Sequence, residues 1–352
     1  MDWEENIVAE PDITALVDVT ALASFLDGAL GNHAETTVEK HIAGFSNETF
    51  YVYRGGAEYV LRRPPRGPLL PTAHDVAREF RFLKALHGTA ARVPRPVVLC
   101  EDASVIGAPF YLMERQHGFV IRAELPAALQ SMDDRRRIGE EMVDALAELH
   151  SVDWAKAGLQ GKSEGYIERQ LKRWQSQADL TVGKVRELPG LAEVSSWLGA
   201  NCPATGDSTV VHGDFKLDNV MFAPSAPARL IAIFDWEMAT IGDPLADLGW
   251  LLHTWGRPDV VVPGEAIPLT AEPGFLTRDE LAARYAEKTG RQLRNFPFYH
   301  AMALWKLAII LEGLYVHYKT GTASNPGAAE FETRVPALIR RAALVIERAA
   351  NT

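Results

Sequence analysis

Two short apolar runs that each lead into an aspartate limit the possible folds of this chain more than any other feature. The run TVV at residues 209–211 leads into HGDFKLDN at residues 212–219, and IAIF at residues 231–234 leads into Asp235. Short apolar runs bounded by Gly and Asp are typical of strands that end in loops. We therefore expect Asp214 and Asp235, which are 21 residues apart in the chain, to lie at strand ends.

The acids and the amide of these two segments suit phosphoryl transfer, which depends on positioning and charge balance more than on covalent chemistry. Asp214 is the candidate base that accepts the proton of an attacking hydroxyl, and Lys216 is placed to neutralise charge on the transferred group. Asn219 and Asp235 carry oxygen atoms of the kind that bind Mg²⁺. A surface loop rich in Asp and Asn explains the first segment alone, but not both segments at this spacing.

The same two segments resemble the aminoglycoside phosphotransferase family of the kinase-like superfamily. Residues 212–219 fit the kinase pattern H-x-D-x-x-x-x-N, with Gly213 where protein kinases have arginine, and DWE at residues 235–237 takes the place of the kinase DFG. GDPLADL at residues 242–248 is similar to a further segment of that family, whose acids brace the catalytic loop. The resemblance covers about residues 40–320.

The resemblance implies an α+β, two-lobed protein-kinase-like fold with ATP and Mg²⁺ as cofactors. A small β-rich N-terminal lobe, residues 1–115, would bind the nucleotide, and a larger, mainly helical C-terminal lobe, residues 116–352, would carry catalysis and bind the substrate. It also implies that Asp243 and Asp247 brace the catalytic loop and that His212 supports its backbone. GTP in place of ATP stays open.

The local sequence patterns agree with this division. Two β-rich runs within residues 50–62 flank a Gly-Gly pair and predict a hairpin. Apolar residues at helical spacing predict helices at residues 74–87 and 133–150, and Asp133 or Asp134 is the expected cap of the second helix.

The resemblance assigns six residues of the first lobe to the nucleotide: Ser46, Asn47, Arg62, Glu79, Met113 and Arg115. Ser46 and Asn47 belong to a loop whose backbone N–H groups would approach phosphates. Arg62 takes the place of the kinase strand lysine, with Glu79 as its partner, although strand alternation lets either Arg62 or Arg63, and only one of them, face the nucleotide. Residues 113–115 are the expected hinge, where backbone groups meet the adenine.

The acceptor is predicted from GYIERQLKRW at residues 165–174. As a helix, this segment places Tyr166, Arg169 and Arg173 near one face. The basic cluster Arg169, Lys172 and Arg173 would suit an anionic coenzyme A moiety. The segment looks like the kinase-like domain fused to some acyl-CoA dehydrogenases, which implies a hydroxyacyl-CoA acceptor. An ordinary basic helix with a buried tryptophan explains it equally well, and an aminoglycoside or another small alcohol is the alternative acceptor.

Composition and charge exclude several classes of function. The formal net charge is −10, from 36 Lys and Arg against 46 Asp and Glu, so we expect no general binding to nucleic acid. The two cysteines are far apart, which argues against a disulfide framework or a zinc site and favours a reducing compartment. The acidic N-terminus shows no secretory signal, and the apolar stretch at residues 303–315 is too short to span a membrane, so we expect a cytoplasmic protein.

Two other functions compete with that of a small-molecule kinase. A catalytically silent kinase-like module that binds nucleotide or acyl-CoA would keep the fold without the chemistry, although all the acids that the chemistry requires are present. A protein kinase is a weaker alternative, because no Ala-Pro-Glu segment and no recognisable activation loop follow Asp235. The sequence indicates no oligomeric state.

Overall fold

The computed structural model describes residues 16–41, 47–65, 75–162, 164–204, 206–256, 267–322 and 326–351. The chain divides into two units. The first comprises Met1–His87, Val93–His117 and Asp235–Glu237, and the second comprises Gly88–Arg92, Gly118–Phe234 and Met238–Thr352. The short segment Asp235–Glu237 thus belongs to the first unit, although the chain on both sides of it belongs to the second.

The first unit is built on an antiparallel sheet. Within the described residues its strands are β1 (Thr36–Lys40), β2 (Glu48–Arg54), β3 (Ala57–Arg63), β4 (Pro96–Cys100) and β5 (Phe110–Glu114), and its helices are α1 (Val19–Leu30) and α2 (Val76–Leu86). The strand order is β1-β2-β3-β5-β4. The predicted hairpin is confirmed, because β2 pairs with β3 across Gly55 and Gly56, whose φ values of 55° and 81° suit glycine.

The core of the first unit lies between α1 and the sheet. Leu22 and Leu26 of α1 are fully buried together with Phe50, Leu61 and Phe110 of the strands. Phe50 and Leu61 are direct cross-strand partners, so their side chains lie on the same face of the sheet. The helix predicted at residues 74–87 is confirmed as α2.

The second unit is mainly helical. Within the described residues its helices are α3 (Met132–His150), α4 (Tyr166–Thr181), α5 (Leu191–Ala200), α6 (Pro244–His253), α7 (Arg278–Thr289), α8 (Phe296–Lys319) and α9 (Phe331–Ala350). Short strands form two antiparallel pairs: β6 (Thr209–Val211) with β9 (Thr240–Gly242), and β7 (Val220–Phe222) with β8 (Leu230–Ile233). The strands predicted before Asp214 and Asp235 are therefore confirmed as β6 and β8.

The helix predicted at residues 133–150 is confirmed as α3, but the prediction of its cap was wrong. Ser131 is the N-cap, and its hydroxyl accepts the backbone N–H of Asp134 at 3.0 Å. Asp133 and Asp134 lie in the first turn instead, where negative charge is favoured by the helix dipole.

Helix α8 is the central helix of the second unit. It packs against α4, α5, α6 and α9. Its buried residues lie on all sides, as expected for a helix that other helices enclose. This arrangement confirms the buried core helix predicted at residues 303–315. In the part of the chain that the structure describes, no helix is long and apolar enough to cross a membrane.

A buried ion pair anchors α8 to the beginning of α9. Glu312 of α8 is fully buried, and the guanidinium of Arg186 contacts both oxygens of its carboxylate. The same guanidinium donates to the carbonyl oxygens of Phe331 and Glu332 and lies 4.2 Å from the ring centroid of Tyr315. One cation therefore satisfies a buried carboxylate and two carbonyl groups in the first turn of α9.

We predict that Arg186→Met lowers the free energy of unfolding by about 3–5 kcal/mol, because Glu312 would stay buried without its partner. Urea denaturation followed by circular dichroism measures this change. Arg340→Met is the control, since Arg340 is exposed on α9 and should contribute little. A loss no larger than that of the control would contradict the anchoring role.

Candidate active site

The segment at residues 212–219 leaves β6 through a turn that glycine fits best. Gly213 has a φ of 85°, a left-handed conformation that other residues adopt only with strain. A Cβ atom at this position would lie 2.9 Å from both the backbone oxygen and the Cβ of Met238. Glycine therefore allows the chain to turn sharply between His212 and Asp214.

The backbone of this turn is held by Asp247, a buried carboxylate of α6. Its oxygens accept the backbone N–H groups of His212 at 2.6 Å and Gly213 at 2.7 Å. His150 Nε2 lies 3.3 Å from the same carboxylate, and the Tyr285 hydroxyl lies 2.7 Å from His150 Nδ1. Burial alone would raise the pKa of Asp247, but the hydrogen bonds and the nearby histidines hold it below its ordinary value. The predicted bracing role of Asp247 is confirmed.

Asp243 acts one step further from the loop than we expected. Its carboxylate caps α6 by accepting the N–H of Leu245 at 2.9 Å, and it also accepts the hydroxyl of Tyr299 at 2.7 Å. Asp243 therefore fixes the first turn of the helix that carries Asp247.

The carboxylate of Asp214 is oriented by three donors. The indole N–H of Trp250 donates to Oδ1 at 2.8 Å, and the amide of Asn219 donates to Oδ2 at 2.8 Å. Lys216 Nζ lies 3.1 Å from Oδ2. A carboxylate offers about four acceptor positions, so these contacts within the described residues leave room for one more donor.

Sequence reasoning missed Trp250 and Lys306, which complete the surroundings of Asp214. Lys306 of α8 donates to the carbonyl oxygen of Gly213 at 2.8 Å, and its ammonium lies 4.0 Å from the ring centroid of Trp250. Burial lowers the pKa of Lys306 to about 8, while Asp214 and Asp247 act in the opposite direction. The sequence signal for Lys306 is a charge whose neighbours at residues 301–311 are all apolar.

His212 supports the backbone beside both acidic segments, as expected. Its Nδ1 accepts the backbone N–H of Asp214 at 3.2 Å, and its Nε2 donates to the carbonyl oxygen of Phe234 at 2.8 Å. The N–H of Phe234 donates in turn to the carbonyl oxygen of Asn219 at 2.8 Å. Asp235 follows with a φ of 65°, a strained conformation that is concentrated at functional sites.

In the first unit, Arg62 and Glu79 form the centre of a buried polar network. Arg62 Nε lies 3.5 Å from Glu79 Oε2, and Arg62 Nη2 lies 3.3 Å from Asp235 Oδ1. Glu79 accepts hydrogen bonds from the Asn47 amide at 2.5 Å and from the Tyr111 hydroxyl at 3.0 Å. Burial raises the pKa of Glu79 to about 7, against the pull of Arg62. Burial opposes the charge on Arg62, yet Tyr111, Glu79 and Asp235 raise its pKa above the ordinary value.

The neighbouring arginine has different contacts. The guanidinium of Arg63 donates to the carbonyl oxygens of Leu16 and Ile106. Arg62 is therefore the arginine that contacts Asp235 and Glu79. These contacts favour Arg62 over Arg63 as the arginine proposed to face the nucleotide.

The other residues assigned to the nucleotide are placed as follows. Ser46 lies outside the described residues. Met113 is buried on β5 opposite Val60. The guanidinium of Arg115 contacts Glu58 at 3.0 Å and the Tyr53 hydroxyl at 2.9 Å. The nucleotide-binding roles of these residues stay predictions.

The three residues predicted to contact the acceptor lie on α4 in different surroundings. Tyr166 is buried, whereas Arg169 and Arg173 are exposed. The guanidinium of Arg169 donates to two backbone carbonyl oxygens just before the helix, and that of Arg173 lies 5.3 Å from the ring centroid of Trp174. Their contact with a substrate also stays a prediction.

The second unit contains a cavity of about 360 Å³. Lys216 and Trp250, which both contact Asp214, are among the residues that line it. Helix α9 also contributes to the lining. The charged and titratable residues of the lining are Lys216, Asp218, His253, Glu330, Arg334 and Arg341. A cavity of this size beside a fixed carboxylate suits a small ligand.

Comparison with known proteins decides the family. Residues 37–296 match the phosphotransferase enzyme family. The chain belongs to this family. Acyl-CoA dehydrogenase family member 11 of Gallus gallus is 36% identical over 314 residues, which cover 87% of this phosphotransferase and 40% of that protein. Acyl-CoA dehydrogenase family member 10 of Mus musculus is 35% identical over 326 residues, which cover 90% of this chain and 30% of that protein. The phosphotransferase thus spans less than half the length of these relatives.

Solved structures share the fold of this phosphotransferase. A provisionally named aminoglycoside phosphotransferase from Ralstonia eutropha JMP134 is 32% identical with a TM-score of 0.81, and the match covers 94% of this chain and 98% of that chain. The GDP complex of aminoglycoside 2′-phosphotransferase-IIIa is 14% identical with a TM-score of 0.61, and the match covers 93% of this chain and 99% of that chain. At this identity the similarity shows a shared fold and nothing more. The predicted kinase-like α+β fold is confirmed.

We predict that Asp247→Asn in this phosphotransferase loosens the loop at residues 212–219 and lowers the free energy of unfolding by about 1–3 kcal/mol. An amide nitrogen in place of one oxygen would leave a buried backbone N–H of His212 or Gly213 unpaired. Hydrogen exchange of the peptide that contains residues 212–219, measured by mass spectrometry, should become faster.

The matched control for this change is Asp243→Asn. It should have a smaller effect, because the Tyr299 hydroxyl can accept a hydrogen bond as well as donate one. Equal exchange rates in the two variants would contradict the role assigned to Asp247.

Proposed function

We propose that this phosphotransferase moves the γ-phosphate of ATP to a hydroxyl group of a small molecule, with Mg²⁺ as cofactor. The observation that carries the proposal is that three donors orient the Asp214 carboxylate. Two of these donors, Lys216 and Trp250, also line a cavity. Asp214 is the base. Lys216 supplies positive charge next to the reacting oxygen.

The surroundings of Asp214 support this role. As the attacking oxygen bonds to the γ-phosphorus, the bond from phosphorus to the β–γ bridging oxygen breaks and the hydroxyl proton passes to the base. A carboxylate whose oxygens are already held by Trp250 and Asn219 does not have to reorganise during that step. The fixed geometry also keeps the remaining acceptor position of Asp214 directed at one point.

We assign the Mg²⁺ to oxygen atoms of Asn219 and Asp235. Among the described residues, no group of three or more His, Cys, Asp or Glu side chains could hold a metal ion alone. Magnesium does not require such a group, because it is commonly bound by one or two protein oxygens together with nucleotide phosphates and water. The Asn219 amide nitrogen is occupied by Asp214, so the amide oxygen is the atom that suits a cation. The bound ion would neutralise charge on the phosphates.

For the nucleotide, we propose that Arg62 contacts the phosphates and that Glu79 orients it. The buried contacts of Arg62 with Glu79 and Asp235 support this assignment. The remaining proposed nucleotide residues are Ser46, Asn47, Met113 and Arg115. Nucleotide use is supported by fold neighbours whose structures contain GDP, or ADP together with hygromycin B. Competition between ATP and GTP in the transfer assay distinguishes the two donors.

We propose a hydroxyacyl-CoA as the acceptor, because the relatives in sequence are acyl-CoA dehydrogenase family members. The cavity of about 360 Å³ suits a short hydroxyacyl group rather than a whole coenzyme. Three cations line it, Lys216, Arg334 and Arg341, against two acids, Asp218 and Glu330. This balance favours an acceptor with negative charge over a polycationic aminoglycoside. Arg169 and Arg173 of α4 are the alternative contacts for the anionic part.

We predict that Asp214→Asn lowers kcat for phosphate transfer by about 10²–10⁴-fold, because it removes the proton acceptor and keeps the shape of the side chain. Calorimetry with a non-hydrolysable ATP analogue and Mg²⁺ should show that nucleotide binding is retained. Asp207→Asn is the control, since Asp207 is exposed and lies on the segment that leads into β6. Strong turnover by Asp214→Asn would exclude Asp214 as the base.

The acceptor is tested by a transfer assay with ATP and Mg²⁺ on 3- and 4-hydroxyacyl-CoAs and on a panel of aminoglycosides. We predict transfer to an acyl-CoA, with a higher KM for it in Arg334→Gln. A higher KM in Arg173→Gln instead would assign the anionic part to α4. Transfer to aminoglycosides alone would reject the acyl-CoA proposal. The absence of both phosphate transfer and ATP hydrolysis would indicate a silent binding module.

A further inference from the structure

Helix α6 holds the catalytic loop at two points. Asp247 accepts the N–H groups of His212 and Gly213, and Trp250 donates its indole N–H to Asp214. Asp247 and Trp250 are three residues apart, so they lie on the same face of the helix. The first contact fixes the backbone of the loop, and the second fixes the side chain of the base.

Helix α8 adds a cation to the second of these contacts. The Lys306 ammonium lies 4.0 Å from the ring centroid of Trp250 and 5.5 Å from that of Trp174, and it donates to the carbonyl oxygen of Gly213. A cation over an indole face is attracted to the electrons of the ring. Withdrawal of those electrons leaves the indole N–H more positive, and linked interactions of this kind reinforce one another away from water.

We infer that Trp250 and Lys306 act as a coupled pair that positions the base: the ammonium over the ring strengthens the hydrogen bond from the Trp250 indole to Asp214. The inference rests on the proposed function, in which Asp214 accepts the proton. Trp250 and Lys306 are positioning residues, since they act through Asp214.

Packing by itself does not explain why residue 306 is charged, because a charged side chain is unfavourable among apolar neighbours. The neighbours of Lys306 in α8 at residues 301–311 are all apolar, and burial is the main influence on the pKa of Lys306. Asp214 and Asp247 stabilise the ammonium, whereas Arg173 and Lys216 repel it. A methionine has a similar length and would fill the same space without charge. The charge is therefore best explained by what it does to the Trp250 ring and to the loop.

The coupling is tested without any substrate by NMR of protein labelled with ¹⁵N-tryptophan. The signal that disappears in Trp250→Phe is the indole N–H of Trp250. In Lys306→Met this signal should move upfield, because its hydrogen bond to Asp214 becomes weaker. In the wild type it should move with pH as Lys306 loses its proton, with a midpoint near 8, and this step should be absent from Lys306→Met.

Kinetics then show whether the coupling serves the base. With ATP, Mg²⁺ and 4-hydroxybutyryl-CoA, or with ATP hydrolysis when water is the acceptor, Trp250→Phe should lower kcat by about 10²-fold and leave KM for ATP unchanged. Lys306→Met should lower kcat in the wild-type background and have little further effect in Trp250→Phe. Its Tm should stay close to that of the wild type, because the removal of a partly buried charge offsets the lost hydrogen bond to the Gly213 carbonyl oxygen.

Trp174→Phe is the matched control. The Trp174 ring also faces Lys306, but its buried indole nitrogen has no hydrogen-bond partner among the described residues. This variant should keep kcat close to that of the wild type, because it removes no hydrogen bond.

An indole signal that Lys306→Met leaves in place would overturn the inference, and so would additive kinetic effects of the two substitutions. A wild-type protein that transfers no phosphate and hydrolyses no ATP would reject the proposed function instead. A shifted indole signal in that protein would still support the coupling of Lys306, Trp250 and Asp214.

Discussion

The buried carboxylate of Asp247 is the contact on which the geometry around Asp214 depends. Two successive backbone N–H groups, those of His212 and Gly213, need acceptors where β6 ends. Asp247 accepts both of them, and its own charge is stabilised by hydrogen bonds, chiefly that of His150. A strand, a turn and a helix are thereby joined through one side chain, and the position of Asp214 follows from that junction.

In each unit, a network of fixed partners holds charges that are at least partly buried. In the first, Arg62 is shared between Glu79 and Asp235, and the strained backbone of Asp235 is part of that arrangement. In the second, Asp214 is held mainly by neutral donors, the indole of Trp250 and the amide of Asn219. Partners that are fixed before a ligand arrives do not have to reorganise when charge develops, which is the most effective way for a protein to stabilise a reacting group.

The sequence predicted what depends on local pattern. Strands β6 and β8 follow from short apolar runs, and the motif spacing makes Asp214 the candidate base because the loop is continuous in the chain. Trp250 and Lys306 could not be found this way, since α6 and α8 bring them to Asp214 only through tertiary packing. The cap of α3 was mistaken for a similar reason. Asp133 and Ser131 are both good caps, and the point at which the backbone enters the helix decides between them.

Lys306 shows that this geometry reduces stability. Its pKa is about 8 in the folded protein, against an ordinary value of 10.5, so the folded chain holds that proton less firmly than the unfolded chain does. Stability therefore rises with pH between about 8 and 10.5, and below pH 8 the partly buried ammonium costs about 3 kcal/mol. Selection tolerates such a cost mainly where a charge is used. The charge of Lys306 lies over the Trp250 ring, whose N–H holds Asp214, so the loss of stability and the orientation of Asp214 have the same origin.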